Sequence, residues 1–343
     1  MSSSPKITVL MPVYNCELYV KEAVDSILNQ TFSDFEFIII DDASTDSTVS
    51  IIKSYNDPRI QLIEKPQNSG YTNSLNNGLS IAKGEYIARM DGDDISLPER
   101  FAKQVTFLDA NPDVVLCGTV FTIIGTDIIV TVPENNENIK LAMLKDCCIG
   151  HPTVMIRKNI LDKFSLMYDA TKEPAEDYDL WTRMLVIGKL HNLQEVLLQY
   201  RIHNSQVSQK RNEQQTNIAL EIKTNLINNL NLNKDEFTTD LLKKIISGKH
   251  QIYFSEIEQF QDLKSRLLLA NEASFFEKTG FEKYLLNLQN NLYKDYFLKR
   301  KKYSASIFFQ YLKARNKRHF KLIARHEIKL FIKSMIFYTK KNE

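Results

Sequence analysis

Over the first two hundred positions, short runs of apolar and β-branched residues alternate with stretches whose apolar positions recur every three to four residues. Such alternation predicts strands separated by helices. The continuous apolar character of the runs predicts strands buried on both faces of a mostly parallel sheet. The predicted strands are Ile7 to Met11, Phe35 to Ile40, Ile60 to Ile63 and Glu85 to Met90. Helices are predicted between them over Glu17 to Asn29, Asp46 to Tyr55 and Gly70 to Lys83, the second capped by Asp46 and Ser47.

A helix from Pro98 to about Ala110 stops at Asn111-Pro112, and another lies near Asn138 to Asp146. A last mixed unit joins a helix over Glu176 to Gly188 to extended chain from Leu190 to His203. The apolar stretch Val114 to Val132 has about the length of a bilayer-spanning helix. It nevertheless holds Gly118, Gly125, Asp127 and several threonines, so two strands joined by a turn at Gly125-Thr126 describe it better. Beyond Ser208 strand patterns cease, and the chain reads as successive helices with few glycines and no proline. These patterns place a boundary near Gln209, with an α/β domain over 1–209 and a helical region over 210–343. No repeat of the solenoid kind interrupts it.

Composition refines this picture in three ways. Apolar residues make up 43% and charged residues 25%, the balance of an ordinary globular protein able to bury a core. Cys16, Cys117, Cys147 and Cys148 form no C-x-x-C pair, which argues against a disulfide framework or zinc site and fits buried thiols in a reducing cytoplasm. The segment Met1 to Lys6 lacks the features of a secretory signal, so the chain is expected to remain where it is made.

Charge is segregated. From Lys294 onward fifteen Lys/Arg face three Asp/Glu, a net +12, so the overall +2 leaves about −10 on residues 1–293.

Ligands of open α/β sheets bind beyond the carboxyl ends of strands. Three polar segments occupy such places: Pro12 to Asn15, Asp41 to Asp46, and Asp91-Gly92-Asp93-Asp94. One Asp after a strand is ordinarily a turn or cap residue. Three carboxylates within four residues repel one another unless a positive charge joins them, and a hard cation such as Mg²⁺ or Mn²⁺ takes oxygen ligands of this kind. Neither the dinucleotide-binding glycine fingerprint nor a phosphate-binding P-loop follows any strand, so a metal bridging an Asp to a diphosphate is the expected way of holding phosphates.

Ile7-Thr-Val-Leu-Met-Pro-Val-Tyr-Asn15, Ser26 to Thr31, Phe35-Glu-Phe-Ile-Ile-Ile-Asp-Asp-Ala-Ser-Thr-Asp46, Gly84 to Asp94 and Glu176-Asp-Tyr-Asp-Leu-Trp181 occur in that order. Together they resemble the motif series of family 2 glycosyltransferases, over about residues 5 to 205. The resemblance implies the GT-A fold, an α/β nucleotide-diphospho-sugar transferase architecture, here with a C-terminal all-helical extension. It implies that Pro12, Val13, Tyr14 and Asp42 contact the nucleotide base, with Asp41 as the neighbouring alternative. Asp91 then faces the ribose, Asp93 binds a divalent metal (Mn²⁺ or Mg²⁺), Asp94 supports them, and Asp177 is the catalytic base of an inverting transfer. Physically, a carboxylate can accept from a uracil imide N–H, and one is needed to take the acceptor's proton.

Glu176 and Asp179 are equally placed as first-turn acids, and the residues by themselves do not rank the three. His151 resembles a position near the acceptor, and His203 one that in some members adds a metal contact. Trp181 suits either a sugar platform or the core. The donor expected from the resemblance is a nucleotide diphosphate sugar, with UDP as carrier, and the acceptor a glycan or lipid-linked molecule of cell-surface polysaccharide synthesis.

Lys317, Lys321, Arg325, Lys329 and Lys333 recur every four residues, away from Phe320, Ile323, Ile328, Phe331 and Met335. A basic amphipathic helix of this kind suits an anionic membrane surface, and no nucleic-acid-binding motif accompanies it. The expected location is cytoplasmic and peripheral at the inner face of the cell membrane. Two other functions fit parts of this pattern: a nucleotidyltransferase acting on sugar phosphates, which lacks here its glycine-rich basic loop, and a non-catalytic nucleotide-sugar-binding scaffold subunit.

Overall fold

The computed structural model describes residues 4–203, 206, 211–230, 236–248, 252–317 and 319–340. The chain divides into two compact units, Met1–Lys223 and Thr224–Glu343. The boundary expected near Gln209 falls outside the described residues.

The first unit is built on one nine-stranded sheet. Its strands are β1 (Ile7–Val13), β2 (Phe35–Asp41), β3 (Ile60–Glu64), β4 (Tyr86–Arg89), β5 (Ile95–Ser96), β6 (Val114–Ile123), β7 (Ile129–Val130), β8 (Met155–Arg157) and β9 (Lys189–Tyr200). The spatial order is β3-β2-β1-β4-β8-β6-β9-β5, with β7 paired to β6. β1, β2, β3 and β4 are parallel, as the alternation of strand runs with helical stretches predicts. Beyond β4 the sheet becomes mixed: β8 is antiparallel to both β4 and β6, whereas β6 and β9 run parallel. The β6–β7 hairpin confirms the two-strand reading of Val114 to Val132, with Gly125 at φ +77° in its turn. No helix of the described residues is long and apolar enough to cross a membrane.

Apart from the short helix over Lys158–Lys163, which no pattern marks, the helices of this unit lie where periodicity predicts them. They are α1 (Val20–Leu28), α2 (Thr48–Lys53), α3 (Tyr71–Ile81), α4 (Arg100–Ala110), α5 (Asn136–Met143), α6 (Lys158–Lys163) and α7 (Glu176–Met184), and α8 (Asn212–Ile227) spans the division. In α1 the buried residues Val20, Ala23, Val24 and Ile27 fall on one helical face against the sheet. Asp46, whose Oδ1 accepts from the Thr48 N–H at 2.9 Å, caps α2, while Ser47 makes no side-chain cap.

Residues Thr224–Glu343 are helical throughout their described secondary structure apart from one isolated bridge. The helices α9 (Glu236–Ser247), α10 (Phe254–Ala270), α11 (Lys278–Leu298), α12 (Ala305–Asn316) and α13 (Ala324–Met335) bury an aromatic core. Within it Phe276 stacks on Phe281 and Tyr293 on Phe320, at 4.7 and 5.0 Å between ring centroids. The expected continuous basic helix is instead two. α12 ends before Lys317, Phe320 turns into the core, and α13 begins at Ala324, so Lys317 and Lys321 lie outside it. Burial of Phe320 outweighs helix continuity here.

Gly84 sits where the chain enters β4, its N–H donating to Thr8 Oγ1 at 2.8 Å. A Cβ there would lie 2.3 Å from the Thr8 backbone nitrogen and 2.5 Å from the Ile7 carbonyl carbon. Gly84→Ala is therefore expected to lower unfolding stability by about 3 kcal/mol, read as a lower urea midpoint at unchanged slope.

Candidate active site

Parallel register brings the ends of β1, β2 and β4 to one edge. Val13 lies opposite Asp41, and the Met90 N–H donates to the Leu10 carbonyl at 3.1 Å as the chain leaves β4. A cleft of about 810 Å³ opens beyond this edge, lined by Pro12, Val13, Tyr14, Asp42, Asp91, Asp93, His151, Glu176, Asp177 and His203 among others. The structure thus gathers residues as far apart in sequence as Pro12 and His203.

On the wall built from the ends of β1 and β2, Tyr14 is half exposed. Asp42 is buried, and its oxygens accept from Lys65 Nζ (2.5 Å), the Ser69 N–H (3.0 Å) and the Gly70 N–H (2.9 Å). It anchors the 65–70 loop at the cleft's rim. Asp41 lies behind the wall: its Oδ2 accepts from the Ser44 N–H at 3.0 Å, and its buried Oδ1 meets no donor among the described residues.

The second strand-end cluster is acidic. One side-chain oxygen from each of Asp91, Asp93 and Asp94 lies within 4.8 Å of the others. Asp91 pairs with the buried Arg89 guanidinium. Asp94 is buried, with Oδ1 accepting from the Arg201 N–H at 2.8 Å and Oδ2 left without a partner among the described residues. Burial first, then the charges of Asp91 and Asp93, pushes the Asp94 carboxyl well above the usual carboxylate range. Burial and the charge of Asp91 push Asp93 up too.

Strand β9 explains how a distant histidine arrives. It pairs antiparallel with β5, Ile95 opposite Gln199, so the chain after Tyr200 passes directly over the acidic loop. Arg201 Nε donates to the Asp93 carbonyl at 2.7 Å, and His203 Nε2 lies 2.8 Å from Asp93 Oδ2. Close carboxylates, an unpartnered buried oxygen and an adjacent imidazole form a donor set that fits a hard or borderline divalent cation.

Across the cleft, α7 presents Glu176 and Asp177 from its first turn. Asp177 Oδ1 accepts from the Tyr178 N–H at 2.7 Å, and burial raises its carboxyl to about 6. Glu176 is more deeply placed. Tyr71 donates its hydroxyl to Glu176 Oε2 at 2.7 Å, and burial followed by the charge of Asp177 raises Glu176 to about 8. His151 Nε2 lies 2.9 Å from the Tyr168 hydroxyl, and burial with the Arg89 charge holds its pKa well below the ordinary value, so the ring is neutral. Trp181 is fully buried and meets the rings of His151 and Tyr168 edge-on, which makes it core rather than an exposed platform. Asp179 pairs with Arg183 at 2.8 Å.

Sequence patterns did not single out Arg89, Tyr71 or Lys65. Arg89 sits inside a strand run and Tyr71 at a helix start, where neither periodicity nor a motif marks a partner. A cation two residues before a three-acid loop is the one signal that could have found Arg89.

Glu176 keeps a proton that the unfolded chain releases near its ordinary value of 4.5. Its contribution to stability is thus full below that value and is lost as pH rises towards about 8. Glu176→Gln removes this loss. Relative to wild type, the variant's urea midpoint is expected to rise between about pH 5 and about pH 8.

The family model Glycosyl transferase family 2 matches residues 8–164. The O-antigen biosynthesis glycosyltransferase WbnJ of Escherichia coli is 37% identical over 210 residues, covering 58% of this chain and 80% of the relative. Among solved structures, Staphylococcus aureus TarS in complex with UDP-GlcNAc matches with a TM-score of 0.57 at 18% identity, over 84% of this chain and 91% of that one. The mannosyltransferase PcManGT of Pyrobaculum calidifontis, in complex with GDP-Man and Mn²⁺, matches with a TM-score of 0.54 at 17% identity, over 85% and 86%. Both share the mixed, curled GT-A sheet. With the motif order, the sheet and the extent of these matches in agreement, the chain belongs to glycosyltransferase family 2 and is a glycosyltransferase.

Proposed function

We propose that this glycosyltransferase is a metal-dependent inverting enzyme that transfers a sugar from a nucleotide diphosphate sugar, with UDP as the carrier, to a glycan or lipid-linked acceptor. Catalysis resides in the N-terminal domain over residues 1–209. The observation that carries this reading is the opposition, across one cleft, of the Asp91–Asp93–Asp94 cluster and Asp177. The nucleotide sugars bound by TarS and PcManGT, and the Mn²⁺ of the latter, support the donor and metal assignments. The O-antigen role in the name of WbnJ supports a surface polysaccharide as product.

Pro12, Val13 and Tyr14 would flank the nucleobase, and Asp42 would act with the loop it anchors, by direct contact or through that loop's backbone. Asp93 and His203 would hold a divalent cation with Asp91 beside the ribose, and Asp94 would support them. Such a cation supplies charge stabilisation to the departing diphosphate. The chain's own residues do the rest. The cleft excludes water from the sugar, while Asp177 orients the acceptor hydroxyl and takes its proton as the hydroxyl attacks from the face opposite the diphosphate. Burial that raises Asp177 to about 6 leaves it ionised at neutral pH yet more basic than an ordinary aspartate, as a general base requires. Glu176, protonated until about 8, does not compete for that role near neutrality.

The test measures metal binding and transfer separately. Mn²⁺ is expected to raise the melting temperature of the wild type, and Asp93→Ala is expected to remove that rise along with transfer activity. Asp177→Asn is expected to keep the Mn²⁺ and nucleotide stabilisation while kcat falls by roughly 10²–10⁴-fold. In the wild type kcat/KM falls as pH drops through about 6, because the base is then protonated. Full transfer by Asp177→Asn, or by Asp93→Ala, would overturn the corresponding assignment.

A further inference from the structure

The helical unit carries a surface that the catalytic cleft leaves unused. Helix α13 turns Leu330 and Ser334 inward and half-buries His326 and Lys333. Its outer arc exposes Ile328, Phe331, Ile332 and Met335, and the chain beyond it exposes Ile336 and Phe337, three of these six by 60% or more. Their spacing of three and four residues makes one continuous apolar stripe. Contiguous apolar surface of this kind, rimmed by polar groups, marks an interaction site.

The rim is cationic. Arg325 and Lys329 lie exposed along the stripe. An isolated bridge pairs Lys302 with Thr339, and the Lys340 N–H donates to the Lys301 carbonyl at 2.8 Å. Together these contacts fold the basic run of residues 299–302 against the end of the chain. Lys333 holds its ammonium over the Tyr303 and Tyr338 rings, 4.9 Å from each centroid. Lys301, Lys302, Lys329, Lys333 and Lys340 form no ion pair with any described carboxylate. Burial, Lys329 and Lys340 lower the Lys333 pKa, the signature of cations crowded without an anion. A hollow of about 80 Å³ between Tyr303, His326, Lys329 and Lys333 lies in their midst.

We propose that this face docks the protein on an anionic phospholipid bilayer. Helix α13 lies in the plane of the interface, its apolar stripe among the acyl chains, with Lys301, Lys302, Lys329 and Lys340 against headgroup phosphates. Charge complementarity selects this occupant. A second copy of the same face would set these cations against their own kind, which disfavours a symmetric dimer. A nucleic acid would use the cations but not a stripe that is largely aliphatic.

The full-length chain is tested by co-sedimentation with vesicles of phosphatidylcholine alone and of phosphatidylcholine with phosphatidylglycerol. The expected result is binding that requires phosphatidylglycerol and weakens with added salt. Lys329→Glu with Lys340→Glu is expected to weaken partitioning by about tenfold or more. Ile328→Ser with Ile332→Ser, which leaves the charge intact, is expected to weaken it comparably. Circular dichroism confirms folding of each variant. Binding that survives the serine pair but not the glutamate pair would show capture of phosphate groups without insertion and overturn the proposal. Absence of vesicle binding by the wild type would overturn it also, and so would self-association that the serine pair abolishes.

Discussion

One buried guanidinium carries the electrostatics of the site. Arg89 ends β4 at the middle of the sheet, paired with Asp91, and its charge draws down the proton affinity of Asp93, Asp94, Glu176 and Asp177. It also opposes protonation of His151. A buried cation costs several kcal/mol to desolvate, and the surrounding carboxylates cost as much again without it, so neither is tolerable alone. Arginine suits the place because it stays charged where a buried lysine would release its proton. The position of β4 between β1 and β8 therefore fixes more than one wall of the cleft.

A second buried arginine repels the first. Arg100, on α4, is pushed down to about 9 by burial and by Arg89. It remains in the core because its donors are taken up: the Arg89 carbonyl accepts at 2.7 Å, the Val154 carbonyl at 3.3 Å, and Gln104 Oε1 at 3.1 Å. Gln104 in turn donates to the Cys117 and Thr153 carbonyls. This chain of bonds ties α4 to β4, to β6 and to the segment leading into β8. The mixed half of the sheet is thus held in register with the parallel half by polar groups inside an apolar core.

That arrangement also explains which parts were legible in the sequence. β1 to β4 and their helices were readable because apolar runs and helical periodicity each report burial locally. β5 and β8 are two and three residues long, too short for any period to register, and α6 follows β8 without a break. The acidic loop stood out through its own repulsion. Arg201 did not, since it reaches the loop only through the pairing of β5 with β9, a contact that no local pattern encodes, and His203 was marked by the family resemblance alone. The basic tail misled for the opposite reason: a four-residue lysine period crosses a break in the helix that only the burial of Phe320 decides.

The choice between Glu176 and Asp177 shows what structure adds to a motif. Both follow one another at the start of α7, and composition cannot separate them. Their surroundings do. Glu176 points back into the wall, where the Tyr71 hydroxyl donates to one oxygen and neutral His151 lies 3.7 Å from the other. Asp177 opens on the cleft and accepts a backbone N–H, which favours its charged form. Two neighbouring carboxyls cannot both ionise cheaply, so the proton settles on the one with less solvent and the negative charge on the one that faces the cleft. Glu176 thereby does more than fill the wall: by holding the proton, it leaves Asp177 as the ionised one of this adjacent pair near neutral pH, while Asp179 is taken up by Arg183.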